Sequence, residues 1–200
     1  ETTVSSIFDL ITSSLDSGSM AQISKQLGQD TGTTRTAINS ALPMLLGALK
    51  KSSQADSGEG LARALNTKHD GSILDDVAGY LSKNDQTDGA GILKHVLGSN
   101  RDLAASTLQM ASGVGKEQAS SLLATLAPVV LGALGKAKRD SGLRDEDLTR
   151  VLDGETRVLE EKAPGMMAAL TGVLDADGDS DTDLSDVLSR GSKMLGGLFR

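Results

Sequence analysis

The sequence predicts an all-α fold, a helical bundle of two pseudo-repeated helical units. Three observations carry this. Apolar residues recur at three- and four-residue steps along most of the chain, the period of a helix with one buried face. No stretch sustains the period-two alternation of a strand, and β-branched residues are scattered. Finally, residues 28–51 and 113–136 align without a gap at a constant offset of 85.

In that repeat Gly28 falls on Gly113, Pro43 on Pro128 and Leu46 on Leu131, and Gly-Ala-Leu at 47–49 falls on Gly-Ala-Leu at 132–134. Each copy reads as a helix, over 33–51 and 115–138, with Ile38, Ala41, Leu42, Leu45, Leu46 and Leu49 on the helical period. A proline inside a helix deletes a hydrogen bond and clashes with the preceding turn, at about 3 kcal/mol, so a kink or a break is expected at each. Gly47 and Gly132, in phase, are expected to let the two repeat helices cross closely about a pseudo-two-fold.

The remaining elements follow in order. Val4, Ile7, Phe8, Leu10, Ile11 and Leu15 predict an opening helix, and Met20 to Leu27 a short one ended by Gly28. After the first repeat helix come a loop at 52–60 and a helix over Leu61–Leu65. Ser72 to Leu81 begins Ser-Ile-Leu-Asp, a capping box with Asp75. A loop at 83–90 leads to helices over Gly91–Leu97 and Leu103–Met110. Beyond the second repeat helix, the period predicts helices over Leu143–Leu152, Val158–Lys162 and Pro164–Leu174, a loop at 175–183, and a closing helix over Leu184–Phe199. The expected organisation is one unit over 1–87, a second over 88–174, and an Asp-rich loop with its closing helix over 175–200.

Composition narrows the function. There is no Trp, one Tyr and two Phe, so the core must be built from small aliphatic contacts between closely approaching elements. A formal charge of −7 argues against broad binding to a phosphate backbone. No cysteine is present, which excludes thiolate chemistry, and the two histidines, His69 and His95, cannot make a multi-histidine metal centre. The uncharged stretch Gln118–Gly135 is short for a membrane span and reads as a core helix. The opening residues have no signal-peptide pattern, so a soluble, cytoplasmic protein is expected, a leader removed before residue 1 being invisible.

The phrase Ala-Leu-Pro-Met-Leu-Leu-Gly-Ala-Leu, preceded by Ile-Ser-Lys-Gln-Leu-Gly, resembles the bacterial domain-of-unknown-function family 937, the YidB-like family. Asp-Gly-x-x-Ile-Leu-Lys-His-Val-Leu-Gly (88–98), the Ala-Pro-Val-Val-Leu-Gly-Ala-Leu copy and an Asp-Gly-rich segment before the last helix match in the same order, so the resemblance spans nearly the whole chain. It implies a small all-helical bacterial protein with homeodomain-like elements. It carries no activity, cofactor or catalytic residue.

Two segments could carry chemistry. In Asp-Ala-Asp-Gly-Asp-Ser-Asp-Thr-Asp-Leu-Ser-Asp, the residues Asp175, Asp177, Asp179, Asp181, Asp183 and Asp186 take positions 1, 3, 5, 7, 9 and 12 of an EF-hand-type calcium loop. Ser180 stands where that loop has Gly, and Asp186 where it has a bidentate Glu. The alternative is a solvated acidic loop capping the closing helix. The second segment, residues 22–38, resembles a helix-turn-helix in which Thr33, Thr34 and Arg35 begin a recognition helix, with a turn longer than usual. Positive charge there is sparse. His95, beside Ile92 and Val96, reads as a packing residue, and Gly-Ala-Gly at 89–91 is too short for a phosphate loop. The expectation is a non-enzymatic structural or protein-interaction protein, self-associating through Leu184, Val187, Leu188, Met194, Leu195, Leu198 and Phe199, with Ca2+ in the Asp-rich loop and no small-molecule substrate. The alternative is a helix-turn-helix nucleic-acid-binding protein.

Overall fold

The computed structural model describes residues 6–55 and 58–162. Among them the chain is all-helical, with nine α-helices and no strand. These are α1 (Ile7–Ser14), α2 (Ser17–Leu27), α3 (Thr31–Ala55), α4 (Glu59–Thr67), α5 (Val77–Ser82), α6 (Thr87–Leu97), α7 (Arg101–Ser112), α8 (Lys116–Asp140) and α9 (Leu148–Lys162). Short 3-10 turns precede α5, α7 and α9.

The two repeat helices are the centre. Both α3 and α8 are 25 residues long and hold their proline in the same register. They pack on each other. Every residue from Ser40 to Leu49 in α3 and from Leu122 to Gly135 in α8 is buried. A helix apolar all round belongs inside a fold, and α8 is touched by α1, α2, α3, α4, α6 and α7. By length and composition α8 could cross a membrane, but 83% of its most apolar stretch is buried inside this bundle. Neither proline breaks its helix. Packing on all sides offsets the lost hydrogen bond.

The absence of large side chains is made up by backbone contact, and glycines mark where. Pro128 has no N–H to bond the carbonyl of Ala124, one turn earlier. Gly89 of α6 lies against that carbonyl: a Cβ on residue 89 would stand 2.6 Å from the carbonyl carbon and 3.0 Å from Cα of Ala124. Gly135 faces the backbone of His69 and Asp70, and Gly71, at φ +102°, lies on Lys136 of α8. Gly132 departs from expectation. What crowds it is the side chain of Ile73 in the 3-10 turn, not the partner repeat helix. The small residue makes room for a crossing turn rather than for the α3–α8 contact.

Other boundaries move for local reasons. The loop expected at 52–60 is helical to Ala55, where Ser53 is buried and bonds back to Lys50. Ser72 forms no capping box. It sits in a 3-10 turn over Ser72–Asp76, and Asp76 caps α5 by accepting from the N–H of Gly79 at 2.8 Å. The two helices expected at 143–152 and 158–162 are one helix, α9, running through Gly154. It is clamped to α3 by Lys50, whose Nζ lies 3.0 Å from Asp153 and 3.3 Å from the Thr156 hydroxyl. The unit boundary expected at 87/88 falls in the first turn of α6, and residues on both sides of it join one hydrophobic core. The segments expected at 164–174 and 184–199 lie outside the described residues.

Candidate functional site

A cleft of about 570 Å³ opens where α6 stands away from the end of α3 and from α4. Its position follows from sequence. Gly89 draws the start of α6 onto α8, while Asp88 in the same turn and Gly91, Ile92, His95 and Val96 in the next ones form a stripe at helical spacing along the opening. Leu49 of α3, Leu61 of α4 and Leu131 of α8 close the floor. Ser52, Lys68, Asp85 and Thr87 complete the rim. The volume suits a small molecule or the side chains of a docked segment.

Gly91 decides how open the cleft is. It is exposed, and a Cβ built on it meets nothing within 4 Å. Two residues apart on one helix, Gly89 is filled by a neighbour and Gly91 by nothing.

The electrostatics of the rim are acidic on the α6 side. Asp85 accepts the N–H of Thr87 at 2.9 Å, and that bond holds its carboxyl below the usual range. Asp88 lies 3.5 Å from Nε2 of His69, which is only 7% exposed beneath the rim. Burial pushes the His69 imidazole down, and the Asp88 carboxylate opposes this without reversing it. Tyr80 stands near the same two carboxylates. Burial pushes its phenol up to about 12, with Asp88 and Asp85 adding to the effect. Its hydroxyl is buried with no hydrogen-bond partner among the described residues. The phenol therefore keeps its proton near neutrality. His95 is exposed on the cleft wall rather than packed, contrary to expectation.

The helix-turn-helix segment takes a definite form. α2 ends at Gly28, in the left-handed conformation at φ +62°, and α3 begins at Thr31, so the turn is short, not long. Asp30 starts α3 by accepting from the N–H groups of Gly32 and Thr33, at 2.8 and 3.0 Å. α2 packs on α3 and α5, while α1 lies against α8. Thr34 is buried and bonded to Ser24 at 2.9 Å, so it packs the helix pair. Arg35, Thr36 and Asn39 are exposed.

Asp175, Asp177, Asp179, Asp181, Asp183 and Asp186 all lie outside the described residues. Among the described residues no group of three or more His, Cys, Asp or Glu side chains could hold a metal ion. Sequence reasoning missed the cleft. The signal available was the phrase at 88–98, where polar Asp88 and His95 share a helical stripe with Ile92 and Val96.

A family model described as "Bacterial protein of unknown function (DUF937)" matches residues 9–137. The match holds every residue of the cleft. It stops short of the Asp-rich segment, so the matched region is shorter than the near-complete span expected from sequence. No curated protein and no solved structure matches the chain.

Proposed function

The chain belongs to the bacterial DUF937 family, and we propose that it works by holding a protein segment in the α3–α4–α6 cleft rather than by catalysis. One observation carries the reading: a helical stripe of half-buried Ile92 and Val96 with exposed Asp88 and His95, over an apolar floor and left open at Gly91. A groove of this kind receives the apolar face of a helix, with alternate turns as anchors and charges at the rim setting orientation. The ionisable groups fit that role. His69 is buried and paired, Tyr80 holds its proton, and Asp85 and Asp88 line an edge that favours a basic residue on the incoming segment. Docking of the closing residues 184–199 on a second copy would give the self-association expected from sequence, and calcium bound at Asp175–Asp186 would order the start of those residues.

The test uses Gly91→Leu, which fills the cleft from an open position. Peptides selected from a displayed helical library on the unmodified protein should include amphipathic sequences with a basic residue, and these should fail on Gly91→Leu. Selected peptides that bind both proteins equally would remove the cleft from the account.

A second reading has one observation behind it. The short Gly28–Asp30 turn has the length of a helix-turn-helix. Within the first turns of α3, residues 31–39, the exposed side chains include one cation, Arg35, too little positive charge for a phosphate backbone.

A further inference from the structure

Besides the cleft, the molecule has a polar pocket between α4 and the turn before α9, a groove between α1, α2 and α3, the exposed Met110 on α7, and the hydroxyls of Ser19 and Tyr80, buried without a partner among the described residues. None of these comes with an occupant. The α3–α4–α6 cleft does, and the following rests on the reading of it given above. We propose that the cleft is occupied in the resting protein by residues 184–199 of the same chain, so that a partner segment must displace the chain's own end.

Three observations support this. First, the sequence of the segment has the pattern the cleft fits: Leu184, Val187, Leu188, Leu195 and Leu198 repeat at helical spacing, with Phe199 beside them. Second, the charges complement. The segment carries Arg190 and Lys193 against one acid, Asp186, with Arg200 directly after it, while the α6 side of the cleft carries Asp85 and Asp88, facing Lys68 across the rim. Third, the reach is sufficient and the anchor is near. The described chain ends at Lys162 on α9, whose Asp153 and Thr156 grip Lys50, the neighbour of the floor residue Leu49. The residues between Lys162 and Leu184 extend to about 70 Å at about 3.3–3.6 Å per residue. A fold of this size is about 40 Å across. A tether of that length presents the segment at roughly millimolar effective concentration, which favours the chain's own cleft over a neighbour's.

The chain has no cysteine, so a nitroxide on Ser192→Cys labels one position in the full chain. At micromolar concentration the amide signals of Gly91, His95 and Ser52 should broaden, and the broadening should persist on dilution. Adding Gly91→Leu to the labelled chain should remove it, while the rest of the spectrum stays folded. Mixing labelled chains with isotopically enriched unlabelled ones separates the alternatives. Broadening seen only in the mixture would place the segment in a second copy's cleft and overturn the proposal, as would no broadening near the cleft in either sample. If the segment is absent from the cleft but selected peptides still bind there and fail on Gly91→Leu, the binding role stands and only its resting occupant is wrong.

Discussion

Changing Gly89 and Gly91 to alanine, one at a time, should move stability in opposite directions, although both sit on α6 two residues apart. Alanine in a helix interior is favoured over glycine by roughly 0.5–1 kcal/mol, because glycine has more backbone freedom to lose. At Gly91 nothing opposes that gain, since the new Cβ meets no atom within 4 Å. At Gly89 the Cβ would meet the carbonyl of Ala124, with the carbonyl carbon at 2.6 Å. That carbonyl belongs to the backbone of the central helix and cannot rotate aside, so α6 must move off α8. Overpacking costs about 1–3 kcal/mol, which leaves a net loss of up to about 2.5 kcal/mol after the propensity gain. For a chain of this length each kcal/mol shifts Tm by about 2–4 °C. Thermal melts should therefore rise by about 1–4 °C for Gly91→Ala and fall, by up to about 10 °C, for Gly89→Ala. Equal shifts, or a rise at Gly89, would refute the close α6–α8 contact and the open cleft together.

Further expectations follow from other parts of the molecule. The buried His69 is held below its ordinary value of 6.5, so the unfolded chain binds the extra proton first. Its contribution to stability is complete above about that value and is lost as pH falls toward the lowered folded value. Denaturant titrations across this range should show stability falling toward acid, with a smaller slope for His69→Gln; an unchanged slope would mean that His69 is not buried neutral. Millimolar calcium should raise Tm by mass action if Asp175–Asp186 binds it. Asp175→Ala with Asp177→Ala should abolish that rise, and an unmutated protein indifferent to calcium would leave only an acidic cap. Gel shifts with mixed DNA duplexes at about 50 mM salt should show no binding, whereas a salt-sensitive shift lost in Arg35→Ala would favour the helix-turn-helix reading.

Much of the fold was legible because its central signal is redundant. Gly-Ala-Leu, Pro and the apolar period coincide in both copies, and α3 and α8 are the helices they mark. Boundaries failed where polar residues hide the period. Ser52 to Ala55 reads as loop, yet Ser53 is buried and the helix continues. Gly154 reads as punctuation, yet it lies inside α9 on an open surface. Gly89 and Gly91 show why the site was harder to see. One-dimensional spacing treats them alike, and only the third dimension puts Ala124 against one and empty space against the other. The cleft is likewise assembled from α3, α4, α6 and α8, and no local run contains it.

The central claim is that the α3–α4–α6 cleft holds a protein segment, and the most direct test is the affinity of a selected amphipathic peptide for the unmodified protein and for Gly91→Leu, measured calorimetrically side by side. The account predicts affinity at least about tenfold weaker for Gly91→Leu, about 1.4 kcal/mol or more, in a protein whose Tm has not fallen. Equal affinity in the two proteins, with both folded, would contradict it.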